Sequence, residues 1–152
     1  MKDMNSEKEL KSIGVNFELV TLTQKVHSVH DVQVACKCEA SEVIKTLIFI
    51  GSNPIVVILP GDKRVSITKL EELTGERGLR MAKPSEVMAL TGYSVGSVSP
   101  FGINPVIKQI ADNFTLSLPS LFLGSGKSDV LIKIGQTEFG KAFRGTFASI
   151  SD

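Results

Sequence analysis

The sequence predicts an α+β fold: a mixed, barrel-like β-sheet flanked by short helices. Apolar runs rich in Ile and Val outnumber the helix-like segments, so strands should form the centre of the fold. The chain has 152 residues and is 42% hydrophobic, which is sufficient for one sizeable core. No repeat, low-complexity stretch or linker interrupts it. We therefore expect a single domain over residues 1–152.

The first segment of the chain has the signals of a short helix followed by a strand. Ser6 with Glu9 has the spacing of a capping box, and Gly14 is placed where a glycine commonly ends a helix. Residues 15–21 then show the apolar spacing and branched side chains of a strand. A helix and a strand are thus expected before residue 22.

A second helix and a hairpin are predicted next. Ser28 with Asp31 repeats the capping pattern ahead of apolar residues at helical spacing. Residues 44–50 and 54–59 are apolar and rich in Ile and Val, and the Gly, Ser and Asn at residues 51–53 favour a turn between them. These two runs should form a buried hairpin.

Two more short helices are indicated in the middle of the chain. Thr68 with Glu71 is placed to open a helix that Gly75 closes. Pro84 occupies the first turn of another helix, which should end near Gly92.

The chain becomes rich in Gly, Ser and Pro from residue 95 onward, with short apolar runs between them. Strands are expected at residues 114–117, 120–123 and 130–134. Since the strands then outnumber the helices between them, we expect the sheet to be mixed and closed, with the helices packed outside.

Charge and hydropathy exclude several classes of protein. The 17 basic and 16 acidic side chains leave a net charge of +1, so no long-range positive field would collect nucleic acid indiscriminately. DNA binding is not expected, and any RNA contact must use a local patch. No apolar run reaches the roughly 20 residues of a membrane span, and the polar first residues differ from a secretory signal. We expect a cytoplasmic protein without membrane contacts.

Metal, redox and cofactor chemistry have little support in the sequence. The two cysteines, Cys36 and Cys38, are one residue apart, which is neither a disulfide framework nor a zinc pair with partner ligands elsewhere. The two histidines, His27 and His30, have no acidic pair at ligand spacing. We expect no metal and no cofactor, and interpret His27 as structural or pocket-lining rather than as a general base.

A glycine-rich segment, Gly124–Ser128, ends like the phosphate-binding loop of nucleoside triphosphatases. That loop needs a glycine five positions before Gly126, where Leu121 stands, and a helix where residues 130–134 read as a strand. The triphosphatase interpretation therefore fails. Two alternatives stay open: a turn whose N–H groups approach a ligand oxygen, or a plain hairpin turn.

Lys45 lies at the start of the otherwise apolar run of residues 44–50. Its side chain either extends to water or directs its ammonium into a cavity, where it would bind an ester carbonyl or a phosphate. A second turn-rich segment, residues 96–102, combines hydroxyls, a rigid proline and glycines that permit unusual backbone angles. By itself that segment carries no specific function.

Six segments, taken in order, resemble the YbaK family, which includes an insertion domain of prolyl-tRNA synthetase. They are HSVHDV at 27–32, IKTLIFI at 44–50, VVILPGDKRVSITKLEEL at 56–73, MAKPSEVMALTGY at 81–93, GSVSPFG at 96–102 and LGSGKSDVLIKI at 123–134. The resemblance implies a mixed, barrel-like sheet flanked by helices. It also implies hydrolysis of the ester between a non-cognate amino acid and the 3′-terminal adenosine of a transfer RNA, by free-standing enzymes or by a synthetase insertion.

The resemblance also assigns site residues. The family's signature lysine falls on Lys45, its Gly-x-x-Ser-Pro-x-Gly loop on Gly96–Gly102, and its late glycine loop on Gly124 and Gly126. We predict catalytic roles for Lys45, Ser99 and Gly126. We predict substrate binding by Thr46, His27, Gly96, Pro100, Phe101, Gly102, Gly124 and Ser125.

The expected mechanism uses no covalent nucleophile, because an aminoacyl ester is already activated. Backbone N–H groups near Ser99 and Gly126, together with Lys45, would hold the ester and the terminal phosphate or ribose. The attacking group would be water assisted by the adenosine 2′-hydroxyl, or the substrate thiol if the amino acid is cysteine. The alanine-clearing branch usually pairs its lysine with asparagine and carries a histidine after the late loop. Thr46 and the lack of histidine beyond His30 favour a cysteine-clearing or other branch.

The alternative is a non-catalytic module that binds transfer RNA or docks on an aminoacyl-tRNA synthetase. A modest basic face could come from Lys63, Arg64, Lys69, Arg77, Arg80 and Lys83. The competing interpretation is a solvated charged surface, because acidic residues interrupt this set at Glu71, Glu72 and Glu76.

Overall fold

The structure is a computed structural model that describes residues 4–152. Within these residues, the α-helices are α1 Asn5–Ile13, α2 Val29–Cys36, α3 Ile67–Thr74, α4 Pro84–Thr91 and α5 Gln136–Ala142. The strands are β1 Glu18–Thr21, β2 Ile44–Ile50, β3 Pro54–Pro60, β4 Arg80–Met81, β5 Lys108–Asp112, β6 Ser120–Gly124, β7 Val130–Gly135 and β8 Thr146–Ala148. Short 3-10 helices cover Ala40–Glu42 and Asn113–Ser117.

The strands form two sheets. The larger has the order β4-β2-β3-β5-β8, and the smaller has the order β1-β7-β6. In the larger sheet β2 is antiparallel to β3 and β4, whereas β5 is parallel to both β3 and β8. The smaller sheet is antiparallel throughout. The predicted α+β class with a mixed sheet is therefore confirmed.

The expected closure into one barrel is not found. Among residues 4–152, a parallel bridge between Val43 and Phe122 links the two sheets, and no continuous ladder runs between them. The edge of β2 on this side pairs with β4 only at Phe49 and Ile50, so the first residues of β2 have no strand partner there. A cavity opens at this unpaired edge.

Alternation along β2 divides the core. Ile44 and Ile48 join the main cluster, which fills the space between the two sheets. Leu47 and Phe49 point to the other side and pack with Leu70 of α3. Both faces of the sheet are thus covered, which explains why the central strand β3 is apolar along its whole length.

Local signals predicted several elements correctly. The hairpin of β2 and β3 is confirmed. Gly14, Gly75 and Gly92 each end a helix in the left-handed conformation, in which glycine carries no Cβ penalty. The Ser28 hydroxyl caps α2 by accepting a hydrogen bond from the backbone N–H of Asp31.

Two predicted helix caps are wrong. Met4 caps α1, and Ser6 is a fully buried residue within the helix. Ser66, rather than Thr68, caps α3, since its hydroxyl accepts from the N–H of Lys69 at 3.2 Å. At α3 a second hydroxyl, that of Ser66, fitted the local pattern as well, whereas α1 begins without a side-chain cap.

The strand predicted at residues 114–117 is also wrong. The carboxylate of Asp112 accepts a 2.8 Å hydrogen bond from the N–H of Phe114, and the Thr115 hydroxyl donates to the Asp112 carbonyl. This turn ends β5 and begins a 3-10 helix. No local sequence pattern predicted β4, β5, α5 or β8.

Candidate active site

A cavity of about 250 Å³ opens at the unpaired edge of β2. Its walls come from β2, β6, β7, α2 and α4. Most of them are apolar, including Val32, Val43, Val87, Val98, Phe122 and Leu131. An apolar cavity with few polar groups is typical of small-ligand sites.

Five of the residues predicted to form the site line this cavity. They are Lys45, Thr46, His27, Gly96 and Gly124. They come from four separate parts of the chain, so the fold brings together segments that the resemblance linked only by order. Other predicted residues, described below, lie outside this cavity.

Lys45 contributes the cationic group of the cavity. It is partly buried, and its Nζ donates a long 3.5 Å hydrogen bond to the carbonyl oxygen of Gly61. Burial lowers the pKa of the Lys45 ammonium, the Asp62 carboxylate opposes this effect, and the Arg64 guanidinium adds to it. An ammonium has three donors, so one weak bond leaves donors available for a ligand oxygen.

Thr46 contributes an unpaired hydroxyl. Its Oγ1 is buried and has no hydrogen-bond partner within residues 4–152. Every other buried side-chain oxygen or nitrogen of these residues has one. Leaving a buried hydroxyl unpaired costs about 1–3 kcal/mol. Alternation in β2 places Thr46 between Ile44 and Ile48, on the face directed toward the main cluster. A ligand in the cavity could supply the missing partner.

Glycines allow three loops to meet at the mouth of the cavity. A Cβ added at Gly124 would lie 3.0 Å from the carbonyl carbon of Val98, and one added at Gly96 would lie 3.2 Å from the carbonyl oxygen of His27. Gly126 has φ +106°, and its N–H donates a 2.9 Å hydrogen bond to Ser97. The glycine-rich segment therefore forms a turn fixed by tertiary contacts.

The Gly96–Gly102 loop supports the cavity from behind. Ser99 is fully buried, and its Oγ accepts a 3.2 Å hydrogen bond from the N–H of Phe101. Pro100 and Phe101 face a different cavity of about 350 Å³ on the other side of the loop. Ser99, Pro100, Phe101 and Gly102 are not among the residues that line the first cavity.

The late glycine loop is held by internal contacts. The Oγ of Ser125 donates to the carbonyl oxygen of Val130 at 2.5 Å, and the Ser125 carbonyl accepts a 2.5 Å bond from the Oγ of Ser6. Ser125 is fully buried. Gly126 lies on a second cleft next to the first cavity, and its N–H is already used by Ser97.

Sequence reasoning missed Tyr93 as part of this assembly. Its buried hydroxyl donates a 2.7 Å hydrogen bond to the carbonyl oxygen of Phe101. A Cβ at Gly126 would lie 2.7 Å from Cε1 of its ring. Burial raises the pKa of Tyr93 to about 12. Tyr93 is the single tyrosine of the chain and ends the segment of residues 81–93 that resembles the YbaK family, which is the signal that could have identified it.

The second cleft has a volume of about 370 Å³ and shares His27 and Val95 with the first cavity. Its other lining residues are mainly polar or charged: Ser94, Ser97, Gly126, Lys127, Ser128 and Asp129. The two sites are therefore adjacent but differ in chemistry.

Part of the suggested basic face is occupied by internal interactions. The Arg80 guanidinium makes two hydrogen bonds to Glu86, at 2.8 and 2.9 Å, and these hold the pKa of Glu86 at about 2. Lys69 donates to the carbonyl oxygen of Ser151 at 2.7 Å. Lys63 lies 4.3 Å from the centroid of the Phe114 ring. These contacts favour a structured charged surface over an open basic patch.

The cysteines lie behind the cavity wall and have no direct place in the cavity. Cys36 and Cys38 are partly buried, unbridged and packed against the cluster that includes Val32 and Phe122. Burial raises the pKa of both thiols, which disfavours the nucleophilic thiolate.

Among residues 4–152, no group of three or more His, Cys, Asp or Glu side chains could hold a metal ion. No helix of the described chain is long and apolar enough to cross a membrane.

Comparison with protein families gives one match that covers most of the chain. The model of the aminoacyl-tRNA editing domain matches residues 23–142. The matched region contains the cavity, the three loops at its mouth and the second cleft. The resemblance to the YbaK family is thereby confirmed.

Curated relatives and solved structures agree with this match. The chain is 29% identical over 112 residues to a proline–tRNA ligase of Nitratidesulfovibrio vulgaris, and 31% identical over 108 residues to one of Pseudothermotoga lettingae. These alignments cover 73% and 70% of this chain but only 20% and 19% of the ligases, so the chain spans about one fifth of the length of these relatives.

Two solved structures share the fold over nearly the whole chain. The hypothetical protein APE2540 has 30% identity and a TM-score of 0.91, with 97% of this chain and 99% of that chain covered. A protein proposed to be a trans-editing enzyme for prolyl tRNA synthetase has 24% identity and a TM-score of 0.87, with 97% and 95% covered. The second likeness establishes the fold only.

Proposed function

Because the chain belongs to the aminoacyl-tRNA editing domain family, we propose that it is a hydrolase that acts in trans on mischarged aminoacyl-tRNA. The observation that carries the proposal is the cavity at the edge of β2. There, Lys45, whose side chain is partly buried, and Thr46, whose hydroxyl is unpaired, both line one largely apolar space. Both groups suit a ligand that has a carbonyl oxygen and a small side chain.

The proposed reaction is hydrolysis of the ester at the terminal ribose. Water adds to the carbonyl carbon, the bond from that carbon to the ribose oxygen breaks, and the proton passes to the leaving oxygen. The neighbouring ribose hydroxyl assists the transfer. Lys45 stabilises the negative charge that develops on the carbonyl oxygen, and one such donor typically contributes 10² to 10³ in rate.

The loops at the mouth would orient the substrate. Among the described residues, the N–H groups of Gly96 and Val98 donate no hydrogen bond, whereas those of Gly126 and Phe101 do. We therefore assign ester-binding N–H groups to the first pair. Ser99 acts as a positioning residue that holds this loop, and Gly126 acts by fixing the neighbouring loop.

The amino acid removed is proposed to be small, with cysteine attached to proline transfer RNA as the first choice. Cysteine is compatible with a cavity of about 250 Å³, and the Thr46 hydroxyl could donate to its sulfur. Attack by the thiol of the substrate on its own carbonyl would be an alternative to attack by water. Thiol attack would release a cyclic thiolactone, and water would release free cysteine.

A deacylation screen tests the proposal. Proline transfer RNA charged with cysteine, alanine, serine or proline would be incubated with the protein and with a Lys45→Ala variant. We expect one mischarged form to lose its amino acid faster with the parent than with the variant, and the proline form to persist. No acceleration for any mischarged form would contradict the enzyme. Binding without turnover would instead favour a module that binds transfer RNA or docks on a synthetase.

A further inference from the structure

We propose that the cavity behind the Gly96–Gly102 loop binds a free α-amino acid with an apolar side chain. This rear cavity has a volume of about 350 Å³ and lies between α1, the segment of residues 100–109 and the turn from α5 into β8. Its lining residues are all different from those of the first cavity. The inference goes beyond the proposed function and does not depend on it.

Charged groups of both signs surround the rear cavity. Glu9 of α1 contributes a carboxylate, while Lys108 and Arg144 contribute an ammonium and a guanidinium. Within residues 4–152, none of these three side chains forms an ion pair. Their charges are therefore available to a ligand that enters the cavity.

The register of the larger sheet brings the two cations to the same end of the sheet. Ile110 of β5 pairs with Thr146 of β8 in parallel orientation. Lys108 and Arg144 each precede these paired residues by two positions. The turn that carries Arg144 packs closely on β5, because a Cβ added at Gly145 would lie 2.8 Å from a backbone carbonyl carbon of that strand. One wall of the cavity is therefore a fixed positive edge.

Much of the remaining wall is apolar, and it is ordered by its own hydrogen bonds. It includes Pro100, Phe101, Ile103, Pro105, Val106 and Ile107. Val106 is 88% exposed, so its apolar surface is available to a ligand. The Asn104 side chain accepts a 3.0 Å hydrogen bond from the N–H of Val106, and the Asn104 carbonyl accepts one of 3.1 Å from the N–H of Ile107. A wall that is ordered in advance loses little conformational freedom on binding.

An amino-acid zwitterion satisfies all of these features together. A simple anion would be attracted by the two cations but repelled by Glu9, and a simple amine would be attracted by Glu9 but repelled by the cations. The carboxylate of an amino acid suits a bidentate contact with Arg144, and its ammonium suits Glu9. An apolar side chain would cover the apolar wall. The volume of about 350 Å³ lies within the roughly 300–1,000 Å³ typical of small-ligand pockets.

The rear cavity adjoins the loop that shapes the first cavity. Phe101 lines the rear cavity, whereas Gly96 and Val98 of the same loop line the first one. The Tyr93 hydroxyl holds the Phe101 carbonyl oxygen at 2.7 Å. Burial, and to a smaller extent the charge of Glu9, raise the pKa of Tyr93, so Glu9 lies near this contact. A bound amino acid would therefore touch the loop on the side that faces away from the first cavity.

Titration with L-leucine, followed by backbone NMR shifts, tests the site without any catalysis. We expect the amides of residues 103–108 and 144–146 to shift. Three related probes each lack one of the recognised groups: isocaproate lacks the ammonium, isoamylamine lacks the carboxylate, and glycine lacks the apolar side chain. Each of these probes should bind about tenfold or more weakly than leucine.

Variants assign the two charges separately. Arg144→Ala should remove the preference for leucine over isoamylamine, because the carboxylate loses its partner. Glu9→Gln should remove the preference for leucine over isocaproate, because the ammonium loses its partner and the repulsion of an anion ends. Lys8→Ala, at an exposed lysine of α1 that lines none of the three cavities, is the control and should retain both preferences.

Several results would overturn the assignment. They are the lack of saturable leucine binding, shifts confined to residues 44–48 and 96–98 at the first cavity, equal binding of leucine and isocaproate, and unchanged preferences in Arg144→Ala and Glu9→Gln. None of these measurements involves turnover. Failure of the rear site would therefore leave the proposed hydrolase standing, and failure of the deacylation screen would leave the rear site standing.

Discussion

The hydroxyl of Tyr93 donates a 2.7 Å hydrogen bond to the carbonyl oxygen of Phe101, while the edge of the same ring lies under Gly126. One buried side chain therefore supports two loops that are distant in sequence. The first loop supplies Gly96 and Val98 to the cavity, and the second supplies Gly124. The geometry of the mouth should depend on this tyrosine although it touches no substrate.

The titration of Tyr93 should make folding sensitive to alkaline pH. Burial raises its pKa from 10.0 to about 12, so the folded state favours the protonated phenol. The resulting stabilisation is complete below pH 10.0 and is lost as the pH rises toward about 12. Urea unfolding at about pH 8 and about pH 11 should show a larger loss in the parent than in Tyr93→Phe. An equal loss in both would show that another group is responsible.

Gly126 should be intolerant of a side chain for reasons of both backbone and space. Its φ is +106°, and an added Cβ would lie 2.7 Å from the Tyr93 ring. Gly14 provides a matched control, because its φ is +86° but its Cβ would meet nothing within 4 Å. We expect Gly14→Ala to cost about 1 kcal/mol of unfolding free energy and Gly126→Ala to cost about 1–3 kcal/mol more. Similar losses in the two variants would disprove the close contact with Tyr93.

The fold was predictable where the signals were local. The β2–β3 hairpin and the glycines that end α1, α3 and α4 follow from patterns within a few residues. The role of Ser6 does not, because its hydroxyl bonds to Ser125, a residue 119 positions away. The 3-10 helix after β5 was likewise missed, since the Asp112 carboxylate that starts it also accepts from the N–H of Ile150 at the far end of the chain.

The candidate site was predictable only in part for the same reason. The resemblance identified the loops, but sequence order cannot show which side of a loop faces a cavity. Ser99 and Gly96 lie three positions apart, yet Gly96 lines the cavity and Ser99 is buried behind it. The second cleft arises from segments around His27, Ser94 and Lys127, and no local pattern relates these segments.

Lys45→Ala should separate activity from stability. We expect deacylation to fall at least about 100-fold, or near 2.7 kcal/mol of transition-state stabilisation. Burial lowers the pKa of Lys45, so at any pH below that lowered pKa the folded protein carries a charged ammonium whose partial desolvation reduces the free energy of unfolding. The variant should therefore melt at the same temperature as the parent or slightly above it. Single-turnover hydrolysis and melting curves test both statements, with Lys8→Ala as control, and near-normal turnover would remove Lys45 from the reaction.

Thr46→Val should increase stability while it lowers catalytic efficiency. The Oγ1 of Thr46 is buried without a partner, so replacing it with a methyl group of similar size should stabilise the empty protein by about 1 kcal/mol. Thr115→Val is the matched control, because the fully buried Thr115 hydroxyl donates a 2.8 Å hydrogen bond to Asp112, and its loss should destabilise by a similar amount. If the substrate supplies the missing partner of Thr46, kcat/KM for the preferred mischarged transfer RNA should fall about tenfold in Thr46→Val. Chemical unfolding and deacylation, measured on both variants, test these two expectations. A destabilised Thr46→Val would mean that the Thr46 hydroxyl already has a partner in the folded protein. An unchanged kcat/KM would exclude this hydroxyl from substrate recognition.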